Sequence, residues 1–180
     1  MPEAKQSTSP TLYASSGDFR RIFHVEIGSL YRLSFLLTAD HEKAKQCFVS
    51  GLEDSVNGSP VFKEWAHSWA RRTIIQNAVR VIHPRPMEER APSSFNGAGK
   101  TLAPEQAEIA AALELGPFER FVYVMSVLER YSDQDCSVLL GCAPRDVIAA
   151  RIRALQQIGS AIDFHLKCQV NVELTESGIA

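Results

Sequence analysis

The 180-residue chain lacks the long apolar run that a membrane span requires, since none of its hydrophobic stretches approaches roughly 20 residues. Its opening residues, MPEAKQSTSP, contain neither the apolar core nor the basic flank of a secretory signal. We therefore expect a cytoplasmic protein with no membrane partner.

Cysteine is scarce, and the residues at positions 47, 136, 142 and 168 form no CxxC pair and are too scattered for a disulfide scaffold. His165 and Cys168 come closest to a metal-ligand spacing, but no second pair accompanies them. The five histidines are dispersed, and no nucleophile, base and orienting acid stand at a recognisable spacing. We predict reduced thiols, no metal or other cofactor, and no enzymatic activity.

An excess of charge of one sign is also absent, because the formal net charge is −2 and the pI is near 6.2. A basic domain is the usual first mark of a nucleic-acid-binding protein, so the total argues against one. The net charge is, however, the sum of acidic and basic segments. Residues 105–135 carry seven acidic and two basic side chains, whereas residues 71–85 carry four arginines and no acid. The charge pattern therefore predicts local and weak contact with nucleic acid.

The chain does have ordinary hydrophobicity, 45 %, with apolar residues spaced three and four apart. The stripe from Phe19 to Leu37 predicts one long amphipathic helix, and Asp40 stands where the next helix needs an N-cap. A third helix should run from Pro60 to Ile82. Sustained alternation is absent except in the short segment 169–174. The predicted fold class is all-α, in two small helical bundles.

The organisation of the chain follows from its Pro-, Gly- and Ser-rich segments. We predict a disordered tail at 1–17, a first helical domain at 18–83, a flexible linker at 84–104, a second helical domain at 105–168 and a tail at 169–180.

Residues 132–165 have the pattern of a helix-turn-helix. Ser132 caps a short helix that Gly141 ends, and a longer helix follows from Asp146 to about His165. Its expected inward stripe is Ile148, Ile152, Leu155, Ile158 and Ile162. In a DNA-binding protein the first turns of the second helix would enter a major groove. Any αα-hairpin needs a glycine at this place, so the pattern alone leaves both interpretations open.

The third helix combines Trp65 and Trp69 with a group of arginines: Arg71, Arg72, Arg80 and Arg85. Basic and aromatic side chains together suit contact with phosphates and unstacked bases. Two tryptophans four residues apart are also typical core anchors, and arginines commonly decorate a solvated helix face. Composition does not decide between these interpretations.

Several segments resemble one family. Residues 30–44, LYRLSFLLTADHEKA, are similar to the start of region two of bacterial sigma factors of the extracytoplasmic-function, sigma-70-like type, and residues 62–72 resemble its later helix. Residues 115–120, LGPFER, and 129–141, ERYSDQDCSVLLG, look like region four and its helix-turn-helix, and IAARI at 148–152 is similar to the recognition helix. The chain thus resembles a divergent member of that family.

The resemblance implies that region two binds core RNA polymerase and helps to recognise and melt promoter DNA, while region four reads the major groove. The resemblance and the basic stretch at 71–85 together imply that six arginines contact DNA: Arg71, Arg72, Arg80, Arg145, Arg151 and Arg153. It places a weakened polymerase contact on the second helix of region two, at Lys45, Gln46, Val49 and Ser50.

Two departures from the family pattern keep a second function open. No acid occurs from Lys43 to Leu52, where the family has an acidic, glutamine-bearing face, and Ala149 and Ala150 stand where basic or small polar residues usually precede the recognition-helix arginine. The leading prediction is a sigma-like transcription initiation factor. The alternative is a divergent sigma-fold module that binds an anti-sigma factor or another regulator without promoter activity.

Overall fold

The computed structural model describes residues 12–86 and 104–176. Within those ranges every regular element is helical, apart from an isolated antiparallel bridge between Tyr13 and Phe62, so the all-α prediction is confirmed. Residues 12–35 and 40–81 form one compact unit, and residues 36–39, 82–86 and 104–176 form another. In this described part of the chain no helix has both the length and the apolarity of a membrane span.

The helices of the N-terminal half are α1 (Ser16–Val25), α2 (Ile27–Thr38), α3 (His41–Asn57) and α4 (Ala66–Ile82), with a 3₁₀ turn at Lys63–Trp65 before α4. Those of the C-terminal half are α5 (Pro104–Glu114), α6 (Pro117–Tyr123), α7 (Asp133–Leu140) and α8 (Pro144–Glu176), and α6 continues into a π-helical segment at Val124–Leu128. Most of the predicted linker at 84–104 lies outside the described residues.

Regular structure begins earlier than the predicted tail at 1–17 allows. Ser15 caps α1, since its hydroxyl accepts from the Asp18 N–H at 3.2 Å while the Asp18 carboxylate accepts from the Ser15 N–H at 2.8 Å. Residues before the cap are also paired, because the Ala14 N–H donates to the Val61 carbonyl at 2.7 Å. Ser15 and Asp18 therefore form a capping box at the start of α1.

The predicted single helix over Phe19–Leu37 is divided into α1 and α2. Glu26 has φ −98° and ψ 20°, outside the helical region, and separates the two helices. The next junction follows the sequence prediction: Asp40 caps α3 by accepting from the Lys43 N–H at 2.9 Å. That hydrogen bond lowers the pKa of the Asp40 carboxyl because it stabilises the ionised form.

The prediction that α4 starts at Pro60 was wrong. Phe62 forms the bridge with Tyr13 and stacks on its ring at a centroid distance of 4.8 Å, so the chain is extended there and α4 begins at Ala66. Trp65 is 56 % exposed and is not a core anchor. The predicted end of the helix at Ile82 is confirmed, and Pro84 supplies the reason.

Of the predicted inward stripe of α8 only Ile158 is fully buried, and Ile162 is half-buried, so most of the face that packs on the core differs from the prediction. The buried residues are Val147, Ala150, Ala154, Ile158 and Ala161, whereas Ile148, Ile152 and Leu155 are 41 %, 51 % and 47 % exposed. Small side chains allow close approach between helices, and this alanine-rich face packs against α5 and α6. The backbone of α8 also remains helical to Glu176, where a tail from residue 169 had been predicted.

Helices α3 and α4 meet at Gly51 and Ile74. The Thr73 hydroxyl lies 3.1 Å from the Gly51 carbonyl, and a β-carbon built on Gly51 would lie 2.8 Å from Ile74 Cγ1 and 3.3 Å from the Ile74 backbone nitrogen. The close approach of the two helices therefore depends on glycine at position 51.

Gly51→Ala should lower the free energy of unfolding of the first unit by about 1–2 kcal/mol. The steric cost of overpacking against Ile74 exceeds the stabilisation that the higher helix propensity of alanine provides. Both tryptophans of the chain lie in this unit, so urea unfolding followed by tryptophan fluorescence measures it. The control is Gly28→Ala in α2, where the added methyl meets nothing within 4 Å. Equal destabilisation by the two variants would contradict the packing argument.

Candidate nucleic-acid and protein interfaces

The segment from α7 to α8 is a short capped helix, a tight turn and a long helix. The Ser132 hydroxyl accepts from the Asp135 N–H at 3.1 Å at the start of α7. Gly141 ends α7 in the left-handed conformation, with φ 65° and ψ 37°, and the Cys142 N–H returns to the Ser137 carbonyl at 3.1 Å. Only glycine adopts that conformation at little cost. Pro144 then opens α8, where its missing N–H is not needed.

Arg151 joins α8 to α7. Both of its terminal nitrogens bond the Asp133 carboxylate, with Nη2 at 3.1 Å from Oδ2 and Nη1 closer to Oδ1. Both side chains are about one-third exposed. A bidentate pair of this kind specifies geometry as well as adding energy, so Arg151 sets the orientation of α8 relative to α7.

Arg153 and Arg145 have different surroundings from Arg151. The guanidinium of Arg153 donates to Glu119 of α6 at 2.8 Å and 3.2 Å. Arg145, in the first turn of α8, has an 88 % exposed side chain, and its nearest carboxylate oxygen is that of Asp146 at 3.7 Å. At 3.6 residues per turn Arg145 and Arg153 lie about 80° apart on one side of α8, and Arg151 lies at least about 120° from either of them. Because Arg151 and Arg153 are bonded to carboxylates, only Arg145 extends into solvent.

The predicted DNA contacts on α4 are also separated. Arg80 donates to the Asp54 carboxylate of α3 at 3.0 Å, and Asn77 donates to the same oxygen at 2.9 Å. Arg71 and Arg72 are half-buried. The stretch 71–85 contains no acid of its own, but the fold brings one to Arg80 from another helix.

Three aromatic rings, those of the exposed Tyr13 and Trp65 and the half-buried Phe62, form a group that the sequence did not predict, although Trp65 was already a candidate for base contact. Phe62 stacks on Tyr13 and meets Trp65 edge to face at a centroid distance of 5.2 Å. Tyr13 had been assigned to the disordered tail, although the capping box at Ser15 and Asp18 already indicated that structure begins nearby. We call this group the aromatic cluster.

The predicted polymerase contacts lie together on the outer side of α3. Lys45, Gln46 and Val49 are exposed and Ser50 is half-buried. Lys45 forms an ion pair with Glu42 at 2.7 Å, so its positive charge is offset locally. The surface therefore combines a neutralised charge pair with one exposed valine.

Within the described ranges, no group of three or more His, Cys, Asp and Glu side chains could hold a metal ion. The side chains of His165 and Cys168 lie outside the described part of α8. Burial raises the pKa of the Cys47 and Cys136 thiols to about 11, because the thiolate loses hydration. Both thiols are therefore protonated at neutral pH.

No protein-family model matches the chain, and no curated protein matches it. Among solved structures, the chain is similar to the sigma factor RpoE from Bartonella quintana, determined in complex with the anti-sigma factor NepR. The TM-score is 0.44 and the sequence identity 16 %, over 81 % of this chain and 97 % of that one. These values do not assign the chain to a family.

Asp133→Asn and Arg151→Gln should each speed hydrogen exchange of the α7 amides about tenfold, since loss of a bidentate pair costs roughly 1–2 kcal/mol. Exchange of the peptide spanning residues 133–141, followed by mass spectrometry, measures this directly. The double variant should exchange no faster than the faster-exchanging single variant, because both changes remove the same interaction.

Arg153→Gln is the matched control, since it removes an arginine of α8 that is bonded to α6 and not to α7. Its α7 amides should exchange as in the original protein. Additive effects of Asp133→Asn and Arg151→Gln would show that the pair does not brace α7.

Proposed function

We propose that the chain is a sigma-like transcription initiation factor that binds core RNA polymerase and contacts promoter DNA. The observation that carries the proposal is the α7–α8 segment, in which a left-handed Gly141 leads into a long helix with the solvent-exposed Arg145 in its first turn. That arrangement suits a second helix that enters a major groove at its N-terminal end. The segment's resemblance to region four supports the same assignment.

The arginines of α8 then divide their roles. Arg145 contacts DNA, Arg151 positions α8 through Asp133, and Arg153 is held by Glu119. The helix N-terminus adds partial positive charge near Arg145. Because few phosphates are neutralised, DNA binding by this unit is weak and its affinity falls shallowly with salt.

In the first unit, Arg71 and Arg72 are the proposed promoter contacts, and Arg80 supports α4 through Asp54. The aromatic cluster offers exposed rings on which unpaired bases can stack. Melted promoter DNA is the nucleic acid that presents such bases.

The proposed polymerase contact is the outer side of α3, at Lys45, Gln46, Val49 and Ser50. Val49 is the apolar centre that such an interface needs, and the pairing of Lys45 with Glu42 reduces the repulsion expected from a misplaced positive charge.

A second candidate function is a protein-interaction module that binds an anti-sigma factor or another regulator without promoter activity. The observation that favours it is the exposed apolar surface of α8, since Ile148 and Ile152 occupy positions from which a recognition helix would meet DNA. Large exposed aliphatic side chains on one face suit a protein partner better than phosphates.

Reconstitution separates the two functions. The purified chain, mixed with core RNA polymerase and fragmented genomic DNA, should co-elute with polymerase and give promoter-dependent transcripts. Failure to bind core polymerase at low salt would overturn the initiation-factor proposal. Binding of core polymerase without promoter-dependent transcripts would contradict the promoter activity that the initiation-factor proposal requires.

Arg145→Ala should weaken binding to a mixed-sequence duplex several-fold at low salt and reduce the slope of log affinity against log salt by about 1, as expected for one lost phosphate contact. Fluorescence anisotropy with a labelled duplex measures both quantities. The matched control is Arg153→Ala, which removes an equal charge that is already paired. Equal effects of the two variants would remove Arg145 from the site.

A further inference from the structure

Helix α8 carries two apolar faces. One face is buried in its own unit and is built on Val147, three alanines and Ile158. The other, which we call the outer seam, contains Ile148, Ile152, Leu155, Gly159 and Ile162. Its three large N-terminal members are 41 %, 51 % and 47 % exposed, and a β-carbon on Gly159 would meet nothing within 4 Å.

The spacing of the outer seam is that of a coiled coil. Its members follow one another at four, three, four and three residues, which is the heptad repeat of two helices that pack along their length. The seam spans about 21 Å of helix at 1.5 Å per residue. On a helix whose outer face contacts only solvent, polar residues usually occupy these positions.

The residues along the seam match a second copy of α8 in the opposite direction. In an antiparallel pair with its two-fold axis between residues 153 and 154, Ile152 meets Leu155 of the other copy, and Ile148 meets Gly159. The centre of the pair is thus formed by two large side chains, and on either side of it a large residue faces a glycine. The remaining neighbours are neutral or already engaged: Ala149 and Gln156 carry no charge, and Arg151 is bonded to Asp133.

Charge complementarity selects the same direction. The antiparallel arrangement brings Arg145 of one copy near Asp163 of the other, and both residues are exposed. A parallel arrangement would instead place Arg145 beside Arg145 and Asp163 beside Asp163, which is unfavourable at both ends.

We propose that two copies of this chain associate through the outer seams of their α8 helices, in antiparallel orientation. The interface is isologous, so it closes as a dimer. Arg145 lies at the end of the seam, so the dimer covers the first turn of α8. Self-association therefore competes with DNA binding, a conclusion that rests on the proposed function.

Sedimentation velocity of the full chain, without DNA or polymerase, tests the association independently of the proposed function. The mass should rise from 19.9 kDa towards twice that value as concentration increases through the micromolar range. Ile152→Glu should weaken the dimer at least tenfold. The control is Val25→Glu on α1, which places the same charge on a 72 % exposed valine outside the seam and should leave the dimer intact.

Gly159→Leu is a second variant, which adds an apolar side chain to the seam and no charge. It should strengthen the isolated helix, since leucine is a better helix former than glycine, and yet weaken the dimer by filling the space opposite Ile148. Folding of each variant is checked by circular dichroism.

Charge reversal tests the orientation. Arg145→Asp should weaken the dimer, and the double variant Arg145→Asp with Asp163→Arg should restore it only in the antiparallel arrangement. A chain that stays monomeric at about 200 micromolar, well above the micromolar dissociation constant expected of the dimer, would overturn the proposal. So would a dimer that survives both Ile152→Glu and Gly159→Leu, or one in which the double variant fails to recover.

Discussion

The rotation of α8 about its own axis decides most of what the second unit can do. A face of small residues, with Ala150 and Ala154 at its centre, packs against α5 and α6, while the bond between Arg151 and Asp133 ties α8 to α7. These two constraints act on the same helix and agree with each other. Together they turn Ile148, Ile152 and Leu155 outwards and leave Arg145 extended into solvent at the start of the helix.

The electrostatic character of the surface follows from pairing between helices. Arg80, Arg151 and Arg153 each bond a carboxylate from a different helix, namely α3, α7 and α6. A sum of charges along a window of sequence records the arginines but not these partners. The folded chain therefore offers less free positive charge than its arginine count indicates.

The proposed functions use different parts of the molecule. In the first unit Tyr13 and Trp65 of the aromatic cluster are exposed, as is Val49 on the outer side of α3, and the two surfaces suit unpaired bases and a protein partner respectively. In the second unit the N-terminal turn of α8 and the outer seam share one helix. In these proposals a partner on the seam, including a second copy, alters the access of DNA to Arg145 without any change of fold.

Local features were determined by the amino-acid sequence itself. The all-α class, the cap at Asp40, the end of α4 before Pro84 and the turn at Gly141 depend on a few neighbouring residues, and all four could be predicted. The inward face of α8 could not, because Ile148, Ile152 and Leu155 have the stronger apolar periodicity, and only close packing against α5 and α6 favours the alanines. The same holds for Tyr13, which is ordered by pairing with Phe62, and for the arginines, whose partners lie on other helices. Hydrogen bonds within a turn are local, whereas burial and ion pairing depend on neighbours that only the tertiary structure supplies.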